Sequence, residues 1–212
     1  MMKPETTMLI LIGFQNDYYA PDGILRGVID QSLSQLDVVA NTVALLQRLV
    51  PATVVVVDTP IVFTPDYQEL SSEPTGILKA IKEVGAFCAG TAGVETIAEL
   101  RAFGSRIVTV PGKHGINAFS NTALDQLIHE HGIRDVVLAG AVTSVCIDST
   151  GRSAYERGLK VHVLRDCTSA RTLIEQEFYC DHIFPIYAQV LTSTKLVEQL
   201  GLVAGAAQSQ AE

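Results

Sequence analysis

Apolar residues fall along this chain in two alternating rhythms. Short runs at residues 8–12, 53–57, 106–110, 135–139 and 160–164 are rich in Val, Ile and Leu and predict strands. The run at 8–12 reads as a buried strand and that at 53–57, with four valines, as one buried on both faces. A last strand is predicted over residues 189–192. Between the runs the apolar period lengthens to three and four. The clearest case is 29–49, where Leu33, Leu36, Ala40, Val43 and Leu46 share one helix face and Pro51 stops it. Further helices are predicted over 77–84, 95–103, 145–157 and 194–199, and around Pro185 within 173–187. Another carries Leu124, Leu127 and Ile128, with Asn121 as its cap and Gly132 at its end. Residues 60–74 read as loop and 89–93 as a turn.

This alternation predicts an α/β fold of three layers: a doubly wound, mostly parallel six-stranded sheet with helices on both faces. One domain is expected over residues 1–202, followed by a polar, Ala-rich tail over 203–212 that should fray. No internal repeat stands out. In such sheets ligands bind beyond the carboxyl ends of the strands. That rule selects residues 13–19, 58–67, 111–119, 140–146 and 165–172 as the places to look for chemistry.

Composition narrows the partners. The 212 residues are 48% hydrophobic and 18% charged, with a formal net charge of -8. An acidic surface without a Lys/Arg cluster argues against nucleic acid. No apolar run reaches the length of about 18 residues needed to span a membrane. The run at 8–14 is too short for most signal peptides and lacks a cleavage site, so a cytoplasmic location is expected. The four cysteines, Cys88, Cys146, Cys167 and Cys180, form no CxxC pair and no zinc spacing. Free thiols are expected, with Cys88, Cys167 and Cys180 as small buried hydrophobes. Neither GxGxxG nor GxxxxGK[ST] occurs, so nucleotide binding has no support in the sequence.

Cys146 differs from the other three. It follows Gly140-Ala141-Val142-Thr143-Ser144-Val145 directly off the fourth strand, in or near the first turn of a helix. Helix N-termini favour a thiolate, and their unpaired N–H groups can receive an oxyanion. Placement alone leaves open whether Cys146 is a nucleophile or a buried helix residue. Lys113 follows the third strand in Pro111-Gly112-Lys113-His114-Gly115. A solvated surface lysine is the ordinary reading, but flanking glycines suggest an unusual backbone.

Four segments in this order resemble the isochorismatase-like cysteine hydrolase superfamily, which includes nicotinamidases and N-carbamoylsarcosine amidases. They are Leu-Ile-Gly-Phe-Gln-Asn-Asp at 11–17, Ala-Gly-Thr-Ala-Gly-Val-Glu at 89–95, Gly-Lys-His-Gly-Ile-Asn-Ala-Phe at 112–119 and Gly-Ala-Val-Thr-Ser-Val-Cys at 140–146. Arg165-Asp166-Cys167-Thr168 fits as well. The resemblance implies an Asp–Lys–Cys triad with Cys146 as nucleophile and Lys113 as the lysine. It also implies a cis peptide between Ala141 and Val142, and an oxyanion hole from the N–H groups of Val142 and Cys146. The family's aspartate, which would accept the thiol proton and later activate water, falls on Gly13, which has no side chain.

A positioned general base contributes about 100- to 10,000-fold in rate, so reduced or altered activity is the expectation. Asp58, Asp17 and His114 are candidate replacement bases, each with a plain structural or solvated alternative. For Asp17 the expected role is structural, bonding backbone in the loop after the strand. In metal-dependent relatives an aspartate near Asp58 begins a metal site; Asp58-Thr59-Pro60 has no histidine close by, so neither metal nor other cofactor is expected. Tyr18, Tyr19 and Phe119 are candidate pocket walls, or else ordinary core aromatics. The leading reading is a hydrolase of an amide or ureido C–N bond in a small molecule. The alternatives are a decayed member that binds a small carboxylate or a protein partner, and a thiol-reactive protein. A homo-oligomer, dimer or tetramer, is expected from the resemblance.

Overall fold

The computed structural model describes residues 2–202; the expected tail at 203–212 lies outside the described residues. Six strands form one parallel sheet in the order β3-β2-β1-β4-β5-β6. They are β1 (Thr7–Ile12), β2 (Val55–Thr59), β3 (Val108–Thr109), β4 (Asp135–Ala141), β5 (Lys160–Ser169) and β6 (Ala188–Leu191). Strands β1 and β4 lie at the centre and are buried at every position, as the apolar run at 8–12 predicts for β1.

Strand alternation divides the core in two. Leu9, Leu11, Val56, Val137 and Ala139 face one side. There they pack under α2 (Arg26–Leu36), α3 (Val38–Leu49) and α9 (Ser193–Gln199). Met8, Ile10, Ile12, Val57 and Leu138 face the other, against α6 (Leu124–Glu130) and α7 (Asp148–Glu156). The remaining helices are α1 (Asn16–Tyr19), α4 (Gly76–Val84), α5 (Ala98–Arg101) and α8 (Leu173–Phe178).

Several boundaries differ from expectation. The helix predicted over 29–49 is two helices, broken at Asp37, whose backbone is left-handed at φ 49°. The Asn41 amide donates to the Leu36 carbonyl (2.8 Å) and to that of Asp166 (2.9 Å), satisfying groups that the break would orphan. Asn121 is not a helix cap: it sits at φ 63°, and α6 starts three residues later. β5 runs on to Ser169, so Cys167 and Thr168 belong to the strand rather than to a loop. Its pairing with β4 slips between Leu138 and Gly140, which accommodates the additional residues.

Candidate active site

The carboxyl ends of β1 and β4 approach each other closely. A Cβ on Gly140 would lie 1.8 Å from the Ile12 carbonyl oxygen, so only glycine fits there. One residue beyond β1, Gly13 turns the chain at φ 69°. A Cβ at Gly13 would meet the Ala141 carbonyl oxygen at 3.0 Å and the Tyr18 ring edge at 3.7 Å. Position 13 therefore lies against the Ala141–Val142 peptide, which is cis.

Cys146 sits on the turn that follows. Thr143–Ile147 form a π-helical turn leading into α7, rather than the first turn of an α-helix. The Ile147 N–H reaches back five residues to the Val142 carbonyl at 3.2 Å. Such turns are rare and recur at functional sites. Two side chains of α8 hold this one from outside. Thr143 donates to the Gln176 amide oxygen at 2.6 Å, and Ser144 donates to the Glu175 carboxylate. The Gln176 amide nitrogen then donates to Thr168 of β5 at 2.9 Å.

Lys113 reaches Cys146 from the loop after β3. Its Nζ donates to the Gly115 carbonyl at 2.6 Å and lies 3.7 Å from Cys146 Sγ. Lys113 is 0% exposed and Cys146 3% exposed, so the pair is enclosed. Burial pushes the Lys113 ammonium below its ordinary pKa, while the neighbouring Cys146 works in the opposite direction. Among the described residues, no carboxylate lies within ion-pairing distance of Lys113.

The three candidate bases lie elsewhere. The register pairs Asp58 with Leu11, and strand alternation turns its carboxyl to the face opposite Cys146. It accepts from the Thr96 hydroxyl at 2.8 Å beside a cleft of about 170 Å³. Burial raises its pKa, against the hydrogen bonds from Thr96 and Thr109. Asp58 is thus not placed to replace the base, and no histidine lines that cleft. Asp17 accepts from the Phe87 N–H at 2.6 Å, a structural role. His114 stands beside the Phe63 ring, centroid to centroid 6.1 Å, and makes no hydrogen bond to Cys146 among the described residues. Also among the described residues, no group of three or more His, Cys, Asp or Glu is arranged to hold a metal ion.

Of the three aromatics, Tyr18 is the one against position 13. It is buried, tilts against Phe87 at 5.3 Å, and its pKa is raised by burial first and then by Cys146. Tyr19 belongs to the α2/α3 side of the core, stacked on Phe14 at 4.9 Å, with its hydroxyl buried. Phe119 packs into the opposite core cluster, and the Arg157 guanidinium lies 4.2 Å over its ring. Cys167 and Cys180 are buried as expected, and burial raises both pKa values, that of Cys180 to about 11. Cys88 departs from expectation in being only half-buried.

Gln15 is the residue that sequence reasoning passed over. It is buried, and its amide donates to the Ile61 carbonyl (2.7 Å) and the Val94 carbonyl (2.8 Å) while accepting from the Ile61 N–H (2.9 Å). Ile61 in turn pairs with the backbone of Lys113. Gln15 therefore ties the loops after β1 and β2 to the segment carrying the lysine. A long polar side chain between two apolar stretches was the available signal.

Comparison with known proteins finds similarity over most of the chain. The model of the Isochorismatase domain matches residues 7–195. The isochorismatase family protein YddQ of Bacillus subtilis (strain 168) is 29% identical over 171 residues, covering 79% of this chain and 80% of that protein. The maleamate amidohydrolase of Pseudomonas putida is 34% identical over 96 residues, 45% of each chain. Among solved structures, a cysteine hydrolase from Pseudomonas syringae pv. phaseolicola 1448A superposes with a TM-score of 0.80 at 22% identity, covering 94% of both chains. The N-carbamoylsarcosine amidase of Thermoplasma acidophilum superposes with a TM-score of 0.69 at 22% identity, covering 91% of this chain and 97% of that one.

Proposed function

This chain belongs to the isochorismatase family, and on that premise we propose that it is a cysteine hydrolase opening an amide or ureido C–N bond of a small molecule. The observation that carries this reading is the enclosed contact between Lys113 Nζ and Cys146 Sγ at 3.7 Å, at the carboxyl ends of the strands. Cys146 attacks the carbonyl carbon and the C=O electrons move to oxygen. The N–H groups of Val142 and Cys146 receive that oxyanion. Collapse releases the amine and leaves a thioester, which water then cleaves to the acid. Thiolates are strong nucleophiles, so acylation withstands the missing aspartate better than deacylation does.

A second reading, a binder without turnover, is favoured by Gly13 and by the near-complete burial of Cys146. One experiment separates the two. The protein is incubated with maleamate, N-carbamoylsarcosine and nicotinamide in turn, and its intact mass is followed alongside product release. Hydrolysis requires an acyl adduct on Cys146 that Cys146→Ala abolishes, with turnover falling by at least about 1,000-fold. A thermal shift without adduct or product supports the binder. Turnover that survives Cys146→Ala overturns the hydrolase mechanism.

A further inference from the structure

We infer that Lys113 is the general base of this site, its amine taking the proton that an aspartate at position 13 would take. The inference rests on the hydrolase reading above. The Lys113 amine is fully enclosed, and among the described residues it bonds to the Gly115 carbonyl and the Cys146 sulfur. A buried ammonium demands a counter-anion. Gly13 supplies none, the Asp17 carboxylate is held by the Phe87 N–H, and Asp58 faces the other side of the sheet. Among the described residues, the acidic group in contact with the amine is the Cys146 thiol, 3.7 Å away.

The two side chains therefore share one proton, as thiol and amine or as thiolate and ammonium. Either arrangement puts the mobile proton between Sγ and Nζ. In acylation the S–H proton passes to Nζ, the S–C bond forms and the C=O electron pair moves to oxygen. When the C–N bond breaks, the ammonium returns that proton to the departing amine. The sulfur is then a neutral thioester, and Lys113 has no anion beside it. Its burial now favours the free amine, the form that can accept a proton from water. Water adds to the carbonyl, the C–S bond breaks, and the thiolate recovers the proton from Lys113. The sum is amide plus water giving acid plus amine.

Deacylation is the step to measure. The full chain is acetylated with p-nitrophenyl acetate, and decay of the Cys146 thioester is followed by intact mass across pH. Wild-type decay should rise with pH to a plateau whose midpoint lies below the ordinary lysine value of about 10.4. Lys113→Arg keeps a cation but cannot accept a proton; its thioester should decay at least about 100-fold more slowly, rising only with hydroxide. Lys113→Met should slow decay likewise, so a misfolded arginine variant does not decide the matter. Equal decay in wild type and variants, or a wild-type rate without that midpoint, overturns the role of Lys113 alone. Failure of wild-type Cys146 to acetylate retires the hydrolase reading and this one together.

Discussion

Two buried polar pairs stand at opposite ends of the sheet, and among the described residues only the first includes a carboxylate. At the amino ends of β4 and β5, Asp135 and His162 are bonded at 2.9 Å, both almost fully buried. At the carboxyl end, Lys113 is buried more completely and faces a thiol. The first pair is the common solution to burying a titratable group: give it a partner of complementary chemistry. The second leaves a cation without a carboxylate, which costs stability. That cost at a strand-end site, rather than in the core, is where function is expected to override stability.

If this contrast is right, removing the charge-bearing member should have opposite effects at the two ends. Asp135→Ala strips His162 of its only partner among the described residues, since the other ring nitrogen is already buried and unbonded. Urea denaturation should show a loss of about 3 kcal/mol. A loss below about 1 kcal/mol would mean that the pair is incidental.

Lys113→Met should do the reverse. The unbranched apolar side chain fills similar space and removes a buried charge, at the expense of one bond to the Gly115 carbonyl. A gain of about 1 kcal/mol at pH 7 is expected. The pH dependence gives the sharper measurement. Burial lowers the folded-state pKa of Lys113, so between that value and about 10.4 the unfolded chain binds a proton that the folded chain has released. Wild-type stability should therefore climb with pH through this window, relative to Lys113→Met, in which the contribution is gone. Parallel stability curves for the two proteins would show Lys113 to be charged throughout.

The same contrast marks what the sequence could and could not reveal. The alternation of strands and helices, and with it a parallel sheet carrying helices on both faces, follows from apolar runs and helical spacing, which depend on few neighbours. Strand ends are few, which singled out Cys146 and Lys113 as candidates, but their placement left both with ordinary readings and only the resemblance joined them. The break at Asp37 was not legible, because the apolar period of Leu33, Leu36, Ala40, Val43 and Leu46 runs through it undisturbed, and the Asn41 amide that satisfies the freed Leu36 carbonyl is also anchored on the Asp166 carbonyl, far along the chain. The surroundings of Asp58 were hidden for a related reason: the face its carboxyl points to depends on its register with β1 and β3. The bonds from Gln15 to Ile61, from Ser144 to Glu175 and from Thr143 to Gln176 are long-range, and no local pattern encodes them.

The smallest effect tests the vacancy itself. Gly13→Asp places a side chain on a left-handed backbone, where aspartate is tolerated better than most residues, at about 1 kcal/mol. Its Cβ would touch the Ala141 carbonyl oxygen at 3.0 Å, tight enough that one of them must yield slightly. Against these costs stands a new ion pair with a buried ammonium. The two should nearly cancel, leaving stability within about 1 kcal/mol of wild type. The informative quantity is the coupling. In the Lys113→Met background the carboxylate has no cation to face, so Gly13→Asp should cost at least about 1 kcal/mol more there than in wild type. The restored carboxylate should also hold the proton on Lys113, moving the midpoint of thioester decay attributed to the lysine to higher pH. Additive stabilities in the four-protein cycle, together with an unmoved midpoint, would mean that position 13 no longer communicates with the lysine, and that the site has been rebuilt around something other than the lost acid.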